Sequence, residues 1–268
     1  MVTGALPELD ADTRLERVAA GRYRGDANAR WSVGPALNGG YALVLGLRAI
    51  AAEVGHPDPL SVTGHFLAAL EPGPVDIDVE VVKDGRHTAT ATAALRQGER
   101  ERVRVLALCG RLPAEARPLV REAEPPALPP LEECVEPSAE GTPGSDLAIA
   151  ERIRYRHDPQ RPGQLAGQPT GRPRLATWAR FADDRPNDLL GLVCLVDALP
   201  PVIGEAGIAG WVPTLELTVH LRAHPAPGWL RCALAAQAAQ AGLVDETCEV
   251  WDADGQLVAT ARQLARLP

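Results

Sequence analysis

The feature that most constrains this chain is a repeat of its own sequence. "LSVTGHFLAALEPGP" (60–74) returns as "LELTVHLRAHPAPGW" (215–229), so that at an offset of 155 His65 meets His220, Pro72 meets Pro227 and Gly73 meets Gly228 without a gap. A two-residue shift then aligns Gly98 of "RQGER" with Gly255 of "DADGQ". A period this long is several times that of a solenoid unit and points to duplication of a whole domain. The 268 residues leave room for two such units of roughly 100 residues each.

Each unit has the same predicted order. A helix comes first, at 38–53 ("NGGYALVLGLRAIAAE") and at 187–199 ("NDLLGLVCLVDAL"). Four strands follow in the first half, "SVTGHFLA", "VDIDVEVVKD", "HTATATAALRQ" and "RVRVLALCG". Four follow in the second, "TLELTVHLRA", "WLRCALAAQAA", "VDETCEVWDAD" and "LVATARQLAR". Tight turns between strands predict antiparallel meanders rather than crossover units. The fold class is therefore α+β, with two antiparallel sheets each wrapping a long helix. Residues 112–173 are dense in proline, glycine and charge and read as a Pro-rich connection, in which "DLAIAERIRYR" is a short strand or helix. This divides the chain into 1–111, 112–173 and 174–268.

Composition narrows the chemistry. A net charge of −8 argues against a nucleic-acid partner. No apolar run is expected to reach the ~18 residues of a membrane span, and the N-terminus lacks a signal-peptide core, so a cytoplasmic location is expected. The five cysteines form no CxxC pair, which argues against a metal or a disulfide framework. No H-E-x-x-H is present, and none of the four serines sits in a G-x-S-x-G elbow. His65 and His220 occupy equivalent positions of the repeat, which favours a structural role.

One residue is out of place. In "NDLLGLVCLVDALPP", Leu190, Val193 and Asp197 share a helix face at i, i+3 and i+7, the face a helix buries. Unpaired burial there is costly, and the helix C-terminus disfavours a negative charge. Either the helix frays before Pro200 and leaves Asp197 in water, or the carboxylate has partners.

The helix-then-strands order resembles the thioesterase-like superfamily, specifically double-hotdog acyl-CoA thioesterases of the bacterial acyl-CoA thioesterase II type. "NGGYALVLGLRA", "HPDPLSVTGHFL", "RFADDRPNDLLGLVCLVDALPP" and "WVPTLELTVHLRAHPAPGWL" carry the likeness over roughly residues 25–110 and 175–268. The resemblance implies hydrolysis of an acyl thioester, on coenzyme A or on an acyl carrier, without a cofactor or metal and in a homodimer or larger homo-oligomer. It also implies a water held by an aspartate, a threonine and a glutamine, which fall on Asp197, Thr214 and Gln263. Gln263 continues the strand face of Ala259 and Ala261, where an amide needs partners. Alternation puts Thr214 on the polar face with Glu216 and Thr218, so Thr218 stands as a second candidate. At the repeat offsets Gln263 corresponds to Leu106 and Thr214 to Pro59, and 38–52 hold no acid. One polar trio in two scaffold copies fits one site per chain.

The first half offers "NGG" (38–40) at the start of its helix. Asn38 is a candidate N-cap, and the amides of Gly39, Gly40 and Tyr41 are candidate oxyanion donors. Two rivals remain: a non-catalytic acyl-CoA or carrier-protein binding module, and a hotdog hydratase. The hydratase motif Asp–x–Asn–x–x–His is broken in "DANARW", where Trp31 takes the place of the histidine.

Overall fold

In the computed structural model, which describes residues 6–115, 118–137 and 147–268, the two halves form one sheet. After the short α1 (Glu8–Asp12) come β1 (Glu16–Ala19), β2 (Arg22–Ala27) and the small hairpin β3 (Ser32–Val33) and β4 (Ala36–Leu37). Then follow α2 (Gly39–Ala51), β5 (Asp58–Phe66), β6 (Gly73–Asp84), β7 (Ala89–Gln97) and β8 (Arg100–Gly110). The second half has β9 (Ile153–Arg156), β10 (Arg174–Phe181), α3 (Leu189–Ala198), β11 (Thr214–Leu221), β12 (Leu230–Gln240), β13 (Leu243–Trp251) and β14 (Leu257–Arg266).

The expectation of two separate sheets is corrected by the strand order β1-β2-β6-β7-β8-β5-β11-β14-β13-β12-β10-β9. Read from either end it is the same list of elements, so the sheet carries a pseudo-two-fold axis. That axis passes through the antiparallel β5–β11 seam, where Thr63 pairs with Thr218, its equivalent at offset 155. Only β6–β8 and β12–β14 are meanders; β5 and β11 lie beyond β8 and β14 and join the halves. The helices do not come first either, because β2 and β10 precede them and extend each half-sheet. Alternation in β2 brings only Tyr23, Gly25 and Ala27 to the buried side, which gave the sequence little apolar signal. The repeat's glycines confirm the duplication in backbone terms: Gly73 and Gly228 have φ of 122° and 119°, Gly98 and Gly255 of 60° and 73°. Such angles favour glycine.

α2 and α3 pack against each other inside this curved sheet. The run Leu189–Ala206 does reach 18 residues, contrary to the sequence expectation. It is α3 plus a 3-10 turn (Val202–Ala206), broken at Pro200 and Pro201 and packed mostly in the interior. The stretch 112–173 is less irregular than its composition suggests. It contains β9, which pairs with β10, and its proline-rich part lies on the outer face of the second half, where Trp178 Nε1 donates to Pro129 O at 3.2 Å.

Candidate active site

The N-terminus of α2 meets the C-terminus of α3, and there the carboxylate of Asp197 is held. Asn38 caps α2 by accepting from the Tyr41 amide at 2.9 Å. Its Nδ2 donates to Asp197 Oδ2 at 2.7 Å and to Asp197 O at 2.9 Å. The Gly40 amide donates to the same Oδ2 at 2.9 Å. Close approach of the helices requires glycine, since a Cβ on Gly40 would stand 2.7 Å from Cys194 O and 2.8 Å from Val193 O. On Gly39 it would meet the Phe66 ring at 2.6 Å and Asp197 Oδ2 at 3.0 Å. The positive end of α2 thus offsets the unfavourable end of α3 on which Asp197 sits.

This arrangement reassigns the "NGG" residues. The Gly40 amide serves Asp197, the Tyr41 amide serves Asn38, and neither Gly40 nor Tyr41 lines the adjacent cavity. Tyr41 is buried, stacked on Trp31 with centroids 5.4 Å apart, and its hydroxyl donates to Asp12 O at 2.8 Å. The oxyanion role expected for these two amides is therefore withdrawn. Asn38 and Gly39 do reach the cavity wall. Trp31, in the hydratase-like "DANARW", is buried with its Nε1 on Asp12 Oδ2 at 2.9 Å.

Thr214 reaches the site by a β-bulge. In β11 Thr214 pairs with Ala265 and Leu217 with Gln263, so three steps on one strand face two on the other. The extra residue, Leu215, turns out to solvent, and Thr214 rotates onto the inner face with Leu217 and Val219. Strict alternation had placed it on the opposite face. Thr218, on that outer face, bonds Thr63 at 2.9 Å instead and is no part of the site. Thr214 Oγ1 donates to Gln263 Oε1 at 3.0 Å, and it also lies in hydrogen-bond reach of the Asp197 carboxylate. Asp197, Thr214 and Gln263 therefore converge on one wall.

A fourth polar residue escaped the sequence reading. Gln263 Nε2 donates to Glu246 Oε1 at 3.0 Å, and the Val202 amide donates to Glu246 Oε2 at 2.6 Å. Glu246 is buried on the face of β13 that also carries Val244, Cys248 and Val250. The period-two pattern of "VDETCEV" marks it as an acid among apolar residues.

Burial raises the Asp197 pKa to about 6, against the lowering pull of the Gly40 and Gly39 amides, Asn38 and Thr214. Burial likewise raises Glu246 to about 7, opposed by the Val202 amide and Gln263 and reinforced by the charge of Asp197. Both acids lie where a small change of pH decides their state. Asp197, Thr214 and Gln263 border a cavity of about 930 Å³, whose apolar wall includes Leu37, Phe66, Leu70, Ile149, Tyr155 and Trp211; Glu246 lies behind Gln263 and does not line it. Its size and character are those of a small-molecule pocket.

The chain is similar to known proteins in sequence and in fold. The sequence pattern of the acyl-CoA thioesterase N-terminal domain matches residues 27–110, and that of the C-terminal domain matches 125–267. An uncharacterized protein of Mycobacterium tuberculosis is 31% identical over 98% of this chain and 96% of its own. Among solved structures, a candidate thioesterase II of Thermobifida fusca superposes with a TM-score of 0.88 at 31% identity, covering 99% of this chain and 100% of that one. A conserved hotdog-fold protein of unknown function from Alicyclobacillus acidocaldarius superposes with a TM-score of 0.83 at 22% identity, over 98% and 99% of the two chains, and speaks for the fold alone.

Proposed function

The chain belongs to the acyl-CoA thioesterase family, and from that premise we propose that Asp197 is the general base of its thioester hydrolysis. The acyl group lies in the apolar cavity, with its thioester carbonyl beside Asp197. A water between Asp197, Thr214 and Gln263 gives its proton to Asp197 as its oxygen attacks the carbonyl carbon. The carbon–sulfur bond then breaks, and the coenzyme A thiolate takes the proton back from Asp197. Free acid and thiol are the products.

The observation that carries this reading is the environment of the Asp197 carboxylate. It is fixed by neutral donors, it faces an apolar cavity, and among the described residues it has no ion-pair partner. A pKa near 6 leaves most of it ionised at neutral pH, yet keeps it a far better proton acceptor than an ordinary aspartate. Turnover should accordingly fall as pH drops through about 6.

The test is thiol release from acyl-CoAs of several chain lengths. Asp197→Asn keeps the shape and the Gly40 bond but removes the base, and it should lower kcat about 1,000-fold. Equal rates for the variant and the wild type would remove Asp197 from the mechanism.

A further inference from the structure

Glu246 has no place in the reading above, yet it ends a continuous chain of side chains that reaches the base. Glu246 and Gln263 are a directly opposed cross-strand pair of β13 and β14. Gln263 bonds Glu246 at one end of its amide and Thr214 at the other, at 3.0 Å in each case. The Thr214 hydroxyl stands between Gln263 and the Asp197 carboxylate, and its single proton can go to only one of them.

The direction of this chain is set at its far end. An ionised Glu246 only accepts, so Gln263 must present Nε2 to it and Oε1 to Thr214. The Thr214 proton then goes to Gln263, and its lone pairs turn to the cavity. A water there donates one hydrogen to Thr214 and one to Asp197, and keeps its own lone pairs for the carbonyl carbon. A protonated Glu246 reverses every bond. It donates to Gln263, whose amide turns by half a rotation and donates to Thr214. The Thr214 proton then goes to Asp197 and occupies the base.

We propose that Glu246 is a positioning residue: acting through Gln263, it sets the direction of the Thr214 hydroxyl and so leaves Asp197 free to take the proton of water. The proposal rests on Asp197 being the base. Its ionisation is governed by the groups facing it. These are Asp197 on α3, Cys248 beside it on β13, Gln263 on β14, and the Val202 and Ile203 amides of the 3-10 turn; Ala236 of β12 opposes it without charge. Among the described residues no cation pairs with Glu246. Burial holds its pKa at about 7, so both directions of the chain are reached near neutral pH.

Glu246→Gln tests this directly. The Val202 amide needs an acceptor, so the new amide must turn its oxygen there and its NH2 toward Gln263, which locks the reversed direction. With its melting temperature checked against the wild type, the variant should lose kcat about 10- to 100-fold with KM changed less than about threefold. In a Thr214→Val background, where the chain is cut, the same substitution should change kcat less than about twofold, since coupled sites are non-additive. Loss of packing would act equally in both backgrounds. The wild type itself supplies a second measurement: its kcat should fall more steeply than one proton between about pH 7 and pH 5, where both acids titrate, whereas Glu246→Gln falls with one proton throughout. Wild-type kcat in Glu246→Gln, an equal loss with and without Thr214, or a wild-type acid limb no steeper between about pH 7 and pH 5 than that of Glu246→Gln would each overturn the proposal. If Asp197→Asn is inactive while Glu246→Gln behaves as wild type, the role of Glu246 alone fails. If Asp197→Asn turns over normally, the base assignment fails with it.

Discussion

The two ends of the α2–α3 pair are related by the duplication, yet they have been put to opposite uses. At one end the start of α2 meets Asp197 on the last turn of α3, with the cavity beside it. At the other, the start of α3 is capped by Asp188, which accepts from the Gly191 amide at 2.6 Å, and the last turn of α2 carries Arg48. There every carboxylate has a cation. Arg185, almost wholly buried, bonds Asp188 at 2.7 and 2.8 Å and Asp10 at 2.9 and 3.0 Å, and Arg48 bonds Asp10 at 2.5 Å. Burial alone would raise Asp10, but Arg185 and Arg48 outweigh it and hold its pKa below the ordinary value. Asp197 receives only amides and a hydroxyl, and its pKa moves the other way. One end is a closed ion cluster that holds the N-terminal segment on the helices. The other keeps an acid poised, and the absence of a cation among the described residues is what separates them.

Breaking the closed end should give the largest change in stability. Arg185→Met leaves Asp10 and Asp188 without their shared cation and should cost about 3 kcal/mol in urea unfolding. The folded fraction should retain its kcat, because no part of the cluster lines the cavity. A large loss of kcat in fully folded variant would mean that the two ends are coupled.

At the open end the sign reverses. The folded state holds the Asp197 proton up to about pH 6, whereas an unfolded aspartate releases it near 3.8. The ionised form is thus a cost to the folded protein, absent below about pH 4, growing up to about pH 6 and constant above. Asp197→Asn should therefore be more stable than the wild type at pH 8, by on the order of 2 kcal/mol, while being the variant that loses turnover. The difference should vanish at pH 4. A variant less stable than the wild type at pH 8 would mean that the Gly40 and Asn38 bonds outweigh burial.

Much of this contrast could be read from the sequence, and the parts that could not have a common cause. Helices, eight strands and the duplication followed from periodicity and turn residues, because each depends on neighbours along the chain. Asp197 stood out because it interrupts an apolar helix face, and Gln263 because it continues an apolar strand face. Thr214 came from the family resemblance, against its own alternation, because a bulge leaves no mark in residue type. Glu246 was legible by the same argument as Asp197, applied to period two in place of period 3.6. Fusion of the sheets was not legible, since "LSVTGHF" and "LELTVHL" carry no sign that they pair with each other. The edge strand β1 was hidden for another reason, since it is exposed throughout; β9 was legible only as a strand-or-helix alternative in "DLAIAERIRYR", an arginine-rich segment inside a proline-rich stretch.

The seam offers the finest form of the comparison, because there equivalent residues touch. Thr63 and Thr218 share a hydrogen bond of 2.9 Å across the pseudo-two-fold axis. Perfect symmetry would make the two threonines interchangeable. They are not, because Thr218 also donates to Glu216 Oε1 at 2.5 Å, and at offset 155 the first half has Ser61 where the second has Glu216. The Thr218 proton is committed to the carboxylate, so Thr63 is the donor in the pair. Thr63→Val removes one donor to a hydroxyl that keeps its stronger bond, and it should cost about 0.5 kcal/mol. Thr218→Val strips a partner from both Thr63 and Glu216 and should cost about 1 kcal/mol, since an unmatched polar group is costlier than a missing pair. The double variant should cost less than the sum of the two, because the bond between them is lost only once. Urea midpoints for the three proteins decide it, and equal effects of the two single changes would mean that the seam has kept the symmetry its sequence has lost.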